Sequence, residues 1–275
     1  MPASAEPVFP RLGVVGTGLL GASLGLAARV AGSNVTGLDS NLQNLSQASE
    51  LGALDQTATT LAELSSCDLI VIATPPATVA DLVREAAEHC PESVITDVAS
   101  VKGPLVNPLP AERFVPGHPM AGGEVAGPAH ARADLFQGAT WALCPENSRR
   151  DDVERVQSWV QQLGANPLRL SAAEHDRHVA WVSHLPHVLA AALLREFPNY
   201  EHQQMAGPSW RDLTRVGAAD PGLWGQILIA NREQTLAAIA TFRAQLDTFE
   251  QAVEQGDEHA IRQLFQQSRA ARKQP

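Results

Sequence analysis

Lysine is nearly missing from this 275-residue chain: Lys102 and Lys273 stand against 18 arginines. Acid–base chemistry that relies on a lysine in the second half therefore has no candidate between those two positions. Cysteine is scarce too. Cys67, Cys90 and Cys144 lie far apart and none belongs to a CxxC pair, which excludes a disulfide framework and a thiolate zinc site and fits a cytoplasmic protein. No apolar run reaches membrane length. The first ten residues lack the basic start and apolar centre of a signal peptide. Positive charge is short overall: the net charge of −10 argues against a nucleic-acid partner. Small anionic substrates stay open, because local arginines override the global sign. The chain is 44% hydrophobic, enough for a core, and its length suits two domains or one large one.

The first half alternates two periodicities. Residues 11–16 read as a buried strand that runs into Gly16-Thr17-Gly18-Leu19-Leu20-Gly21 and then an Ala/Leu-rich helix to about Ala31. This is a GxGxxG turn between a strand and a helix, the setting in which it binds dinucleotides. Gly16 permits the tight turn, Gly18 lets a pyrophosphate reach the backbone, and Gly21 lets helix and strand pack closely. The helix N-terminus offers N–H groups to the phosphates. The next strand ends at Asp39, 18 residues after Gly21, near the interval expected for an acid on the adenosine ribose. That carboxylate would repel a 2′-phosphate, and no Arg or Lys follows Ser40 within the next residues, so NAD is favoured over NADP. The competing role for Asp39 is a cap on the following helix.

A strand at 68–73 stops at Thr74-Pro75-Pro76. A helix to about His89 and a strand at 93–98 follow, then strands near 141–144 and 166–170 around a helix over 151–163. Strands alternating with helices predict a parallel, doubly wound sheet of Rossmann type. Ligands of such sheets bind beyond the C-terminal strand ends, where Thr74, Pro75, Ser100 and His118 all fall. Gly117-His118-Pro119 reads as a loop after a strand. His118 is thus a candidate proton carrier, weighed against an ordinary polar histidine.

From Ser171 the strand signals vanish. Ser171-Ala-Ala-Glu174 is a capping box, and helices follow to near the end. The expected organisation is a nucleotide-binding domain over 1–170 and an all-helical domain over 171–275. Residues 222–253 have the spacing of one long helix, and so small a helical domain calls for a partner to bury its faces. A homodimer is expected. His184 and His187 lie three apart, on one helical face; with no further ligand evident, a metal is not expected. Arg211 and Arg215 share another helical face and could fork onto carboxylates.

Gly16–Gly21, Asp97-Val-Ala-Ser-Val-Lys102, Gly117-His-Pro-Met-Ala-Gly122, Ser183-His-Leu-Pro-His187 and Arg211-Asp-Leu-Thr-Arg215, followed by Asp220-Pro221 and Trp224, together resemble the prephenate/arogenate dehydrogenase family. The resemblance runs from Arg11 to about residue 255. It implies an NAD(P)-binding Rossmann domain, a helical dimerisation domain, and oxidative decarboxylation of a cyclohexadienol in the cleft between them. By resemblance His118 is the catalytic histidine and Ser100 helps orient the substrate hydroxyl. Arg215 grips a substrate carboxylate, and His184, His187, Glu124, Arg211 and Trp224 line the pocket or lie near it. Some relatives carry Lys at the place of Arg211. Prephenate is the expected substrate and arogenate the alternative. No regulatory ACT domain is expected after residue 255, nor a chorismate mutase segment ahead of the first strand, so tyrosine feedback is expected to be absent or confined to the active site. Two rival readings are a β-hydroxyacid-type dehydrogenase, which needs the absent lysine, and a non-catalytic NAD-sensing dimer, which needs no His118, Ser100 and Arg215 together.

Overall fold

The computed structural model describes residues 6–106, 112–123, 127–199 and 201–272. Its first part is a six-stranded parallel sheet. β1 (Arg11–Val15) leads into α1 (Leu19–Val30), β2 (Asn34–Leu38), α2 (Leu42–Glu50) and β3 (Gln56–Thr57). The chain then returns to the middle of the sheet with β4 (Leu69–Ile72), α3 (Pro76–His89), β5 (Val94–Asp97), the short α4 (Gly103–Val106) and β6 (Phe114–Val115). The strand order is β3-β2-β1-β4-β5-β6, with every pair parallel. The order reverses between β1 and β4, and that reversal opens a crevice above their C-terminal ends. Central strands are apolar throughout because both faces are covered: all four residues of β4 are fully buried, as expected of a parallel sheet between helices.

Pro116 ends β6, and the chain leaves the first sheet. A second, three-stranded sheet begins one residue later: β7 (Gly117–Pro119), β8 (Thr140–Leu143) and, after α5 (Arg150–Gln162), β9 (Asn166–Arg169). The β7–β8 pair is antiparallel and the β8–β9 pair parallel. Trp141 and Trp159 are fully buried beneath it, edge to face at 5.6 Å. The Gly-His-Pro segment, expected as a loop, is therefore a strand. Its local composition reads as a turn, but pairing of His118 with Ala142 is a non-local contact that composition does not report.

The rest is helical: α6 (Ala172–Val179), a wide π turn over Ala180–His184, α7 (Leu185–Glu196), α8 (Pro208–Thr214), α9 (Pro221–Ala230), α10 (Arg232–Glu254) and α11 (Glu258–Ala271). Ser171 caps α6 with a complete capping box to Glu174. The π turn widens where Pro186 has no N–H for the carbonyl four residues back. The single helix expected over 222–253 is two, broken at Asn231 (φ −108°, ψ 37°). The break turns Asn231 inward, where its amide donates to the Asp176 carbonyl at 2.8 Å and bonds His184 Nδ1 at 3.2 Å. Leu236, Leu246, Val253 and Phe265 stay at least half exposed along α10 and α11.

Candidate active site

The glycine turn sits at the switch point, and three of its glycines meet three different constraints. Gly16 has φ of +90°, and a Cβ there would come within 2.6 Å of the Ala73 carbonyl oxygen. A Cβ on Gly21 would lie 1.8 Å from the Gly16 carbonyl oxygen. At Gly18, φ is −68° and a Cβ would meet no protein atom within 4 Å. The first two glycines are demanded by the fold, whereas Gly18 borders open space at the N-terminus of α1. That space is where a pyrophosphate would bind. Gly18→Ala is accordingly expected to leave the melting temperature nearly unchanged while weakening NAD at least about tenfold, some 1.4 kcal/mol. Gly21→Ala is expected to destabilise the fold by about 1–3 kcal/mol through overpacking. Thermal melts and NAD titrations separate the two, and a Gly18→Ala protein that binds NAD normally would contradict the assignment.

Asp39 closes the other side of this space. Its Oδ2 accepts from the Thr17 backbone N–H at 2.6 Å and the Thr17 hydroxyl at 3.0 Å, and its Oδ1 accepts from Asn41 N–H at 2.8 Å. The cap of α2 is Asn41, not Asp39. The carboxylate therefore belongs to the glycine turn. Ser40 is exposed beside it. Thr74 and Pro75 form the opposite rim after β4, and α9 approaches there, with the Ala77 N–H donating to Gln226 Oε1 at 3.4 Å.

His118 is buried, at 8% exposure, and its strand is held tightly. Asp97 Oδ1 accepts from the Gly117 N–H at 3.0 Å. Lys102 Nζ donates to the Gly117 carbonyl at 2.7 Å and pairs with Asp97 Oδ2. Both partners of that ion pair are fully buried. A side chain at 117 would meet Trp141 Nε1 at 2.8 Å and the Asp97 carbonyl at 2.9 Å, so only glycine fits before the histidine. Ser100, half-buried, lies in the loop between Asp97 and Lys102, close to this clamp in the chain.

The helical part brings more histidines to the same place. His118 Nδ1 lies 2.9 Å from His175 Nε2, and His175 Nδ1 lies 2.7 Å from Asp176 Oδ1. His184 is fully buried; its Nε2 has no hydrogen-bond partner among the described residues. His187 stacks on Trp224 at 3.7 Å, and His184 meets the same indole edge-on at 6.0 Å. Burial pushes His118 well below the ordinary histidine range, and the charges of His175, Lys102 and His184 push the same way. Burial takes His184 down to about 4, although Asp176 acts against it. His187 is lowered by burial, opposed by its bond to the Ser183 carbonyl, with the Arg215 charge adding to the fall. A neutral imidazole is the form of histidine that can accept a proton near pH 7. Arg215, at the end of α8, is close enough to act on His187. Arg211 is exposed and donates to the Ala206 carbonyl at 2.9 Å. Glu124 lies outside the described residues. Sequence reading missed His175, Asp176 and Asn231, and gave Lys102 no role.

A nucleotide turn at the switch point, together with a buried histidine pair that joins the β7 strand to a helical part, defines a two-part, nucleotide-dependent dehydrogenase. Residues 24–168 match the family model "Prephenate dehydrogenase, nucleotide-binding domain", and residues 171–267 match "Prephenate dehydrogenase, dimerization domain". The prephenate dehydrogenase of Bacillus subtilis is 30% identical, over 92% of this chain and 72% of its own length. The solved prephenate dehydrogenase of A. aeolicus, in complex with hydroxyphenyl propionate and NAD+, is 27% identical with a TM-score of 0.88, covering 99% of each chain. The Synechocystis arogenate dehydrogenase is 29% identical with a TM-score of 0.83, over 95% of this chain and 98% of its own. The chain belongs to the prephenate dehydrogenase family.

Proposed function

We propose that the protein catalyses the NAD-dependent oxidative decarboxylation of prephenate to 4-hydroxyphenylpyruvate, in tyrosine biosynthesis. The observation that carries the reading is His118: a buried imidazole, held neutral by its surroundings and bonded at 2.9 Å to His175 of the helical part. Bound NAD would supply the acceptor for the hydride lost from the ring carbon that bears the hydroxyl. His118 receives the proton released as that hydroxyl becomes a carbonyl. Loss of the ring carboxylate as CO₂ then leaves a phenolate, and His118 returns the proton to that same oxygen to give the phenol. Such proton transfer accounts for about 10²–10⁴-fold in rate.

Ser100 orients the hydroxyl from the loop after β5. Arg215 grips a carboxylate, with His184, His187, Trp224, Glu124 and Arg211 around the remainder of the substrate. Fixing the ring against the nicotinamide removes orientational entropy from the reaction. Gly16, Thr17, Gly18, Leu19, Leu20, Gly21, Asp39, Ser40, Thr74 and Pro75 hold the cofactor. The Asp39 carboxylate supports NAD over NADP, because a 2′-phosphate there would face a negative charge, and residues 40–44 contain no Arg or Lys to meet it. The domains divide at residue 170. The protein works as a homodimer through the helical part, whose exposed Leu236, Leu246, Val253 and Phe265 supply an apolar face to cover.

Likeness to a solved arogenate dehydrogenase supports a second substrate reading, in which the keto side chain is replaced by an amino one. The test is NADH formation at 340 nm with prephenate and with arogenate, each with NAD and with NADP. Turnover of prephenate with NAD is expected. Turnover of arogenate alone would move the assignment to the second reading, and turnover of neither would refute both.

A further inference from the structure

Which nitrogen of His118 carries the proton follows from the chain of bonds behind it. Asp176 Oδ1 accepts from the Lys102 backbone N–H at 2.8 Å, and Oδ2 from the Gly103 N–H at 2.7 Å. A carboxylate so engaged can only accept from His175, so His175 Nδ1 holds the hydrogen of that 2.7 Å bond. In that tautomer the His175 ring presents a lone pair at Nε2, and the 2.9 Å bond to His118 takes its hydrogen from His118 Nδ1. The Nε2 lone pair of His118 is left for a substrate proton. Both rings are buried, so water does not compete for these positions.

We infer that His175, held by Asp176, is the positioning residue that fixes His118 in its Nδ1–H tautomer and makes Nε2 the proton acceptor. The role in turnover rests on the proposed function; the tautomer does not. The arrangement resembles the use of a second group to fix a histidine tautomer in other proton-transfer sites. When His118 gains a proton at Nε2, its Nδ1–H bond to His175 becomes charge-assisted and stronger. The titratable groups facing His118 are Lys102 from the nucleotide part, His175 from α6, with Asp176 behind it, and His184 from the π turn. His118 and Lys102–Gly103 belong to one part of the chain and His175–Asp176 to the other. The base is therefore set only when α6 is docked against the loop after β5.

The test combines tautomer and turnover. In ¹⁵N-histidine NMR spectra of the whole protein, with His118→Asn supplying the assignment, His118 is expected to be protonated at Nδ1 and not at Nε2. His175→Phe removes the acceptor at similar bulk. It is expected to lower kcat by about 10²-fold, at the lower end of general-base contributions, with the KM for prephenate and the NAD affinity little changed. His175→Gln offers an amide oxygen near the Nε2 position and is expected to recover most of the loss. Three results would overturn the inference: His118 protonated at Nε2 in the wild type, equal losses in the Phe and Gln variants, or a loss confined to KM. If neither variant folds, the wild-type spectrum decides. If the wild type turns over neither prephenate nor arogenate, the functional reading fails, while the spectrum still decides the tautomer.

Discussion

Replacing His118 with Asn is expected to lower kcat by about 10²–10⁴-fold, the usual contribution of a positioned proton acceptor. The amide is uncharged and cannot take up the hydroxyl proton. It can still accept or donate one hydrogen bond, so the site should remain assembled and NAD binding should hold. Initial rates of NADH formation, read beside an NAD titration, make the check. A variant that keeps more than about a tenth of wild-type kcat would fall outside the general-base range and remove His118 from that role. The pH profile adds an independent readout. Burial holds His118 below its ordinary value of 6.5, helped by His175, Lys102 and His184. A base is lost as pH falls through its pKa, so a lowered pKa moves the acid limb of kcat/KM below 6.5. A limb at or above that value would contradict a buried neutral imidazole.

Lys102→Ala is expected to be the most destabilising single change near the site, by about 3–5 kcal/mol, the cost of breaking a buried ion pair by removing one partner. The Lys102 side chain is fully buried, as is Asp97. Without it, Asp97 keeps the Ala99 and Gly117 N–H groups among the described residues, and the Gly117 carbonyl loses its bond from the ammonium. An orphaned buried charge and an unsatisfied carbonyl both oppose folding. Since Gly117 precedes His118, loss of the clamp also loosens the proton acceptor, and kcat should fall even where the protein is folded. Denaturant midpoints at pH 7 give the stability change. A loss under about 1 kcal/mol would mean that water reaches the pair and that it behaves as a surface ion pair. In a chain that otherwise uses arginine, this lysine has a physical reason: a compact ammonium fits an enclosed site that a planar guanidinium does not match.

The parts of the fold that were legible are those coded over short stretches. The apolar strands 11–15 and 69–72, the glycine turn and the capping box at Ser171 each depend on neighbours within a few residues, and the structure places them as expected. The second sheet was only partly legible. β8 and β9 were readable as apolar runs, but their partner β7 is three residues whose local signals are those of a turn. The break at Asn231 was hidden for a related reason: the flanking residues are good helix formers, and the cause is a pair of bonds to Asp176 and His184.

The candidate site divides in the same way. Thr74, Pro75, Ser100 and His118 were grouped from sequence because a parallel sheet puts its C-terminal strand ends on one edge, and Asp39 from its interval after the glycine turn. His184, His187, Arg215 and Trp224 needed the family resemblance, since their spacing alone fits an ordinary helix. His175 and Asp176 left no signal at all: adjacent residues point to different sides of a helix, and the bond that gives His175 its place joins positions 57 apart in the chain.

By itself, then, the sequence determined the alternation of strands and helices, the nucleotide turn with its acid, and the change to an all-helical second half. Periodicity and glycine chemistry are local properties, so they survive in one dimension. Only the tertiary structure decided that Lys102 is a buried clamp, that the Gly-His-Pro segment is a strand, and that four histidines from two parts of the chain converge. Those features exist through desolvation and long-range hydrogen bonding, which arise only once segments distant in the chain have packed together.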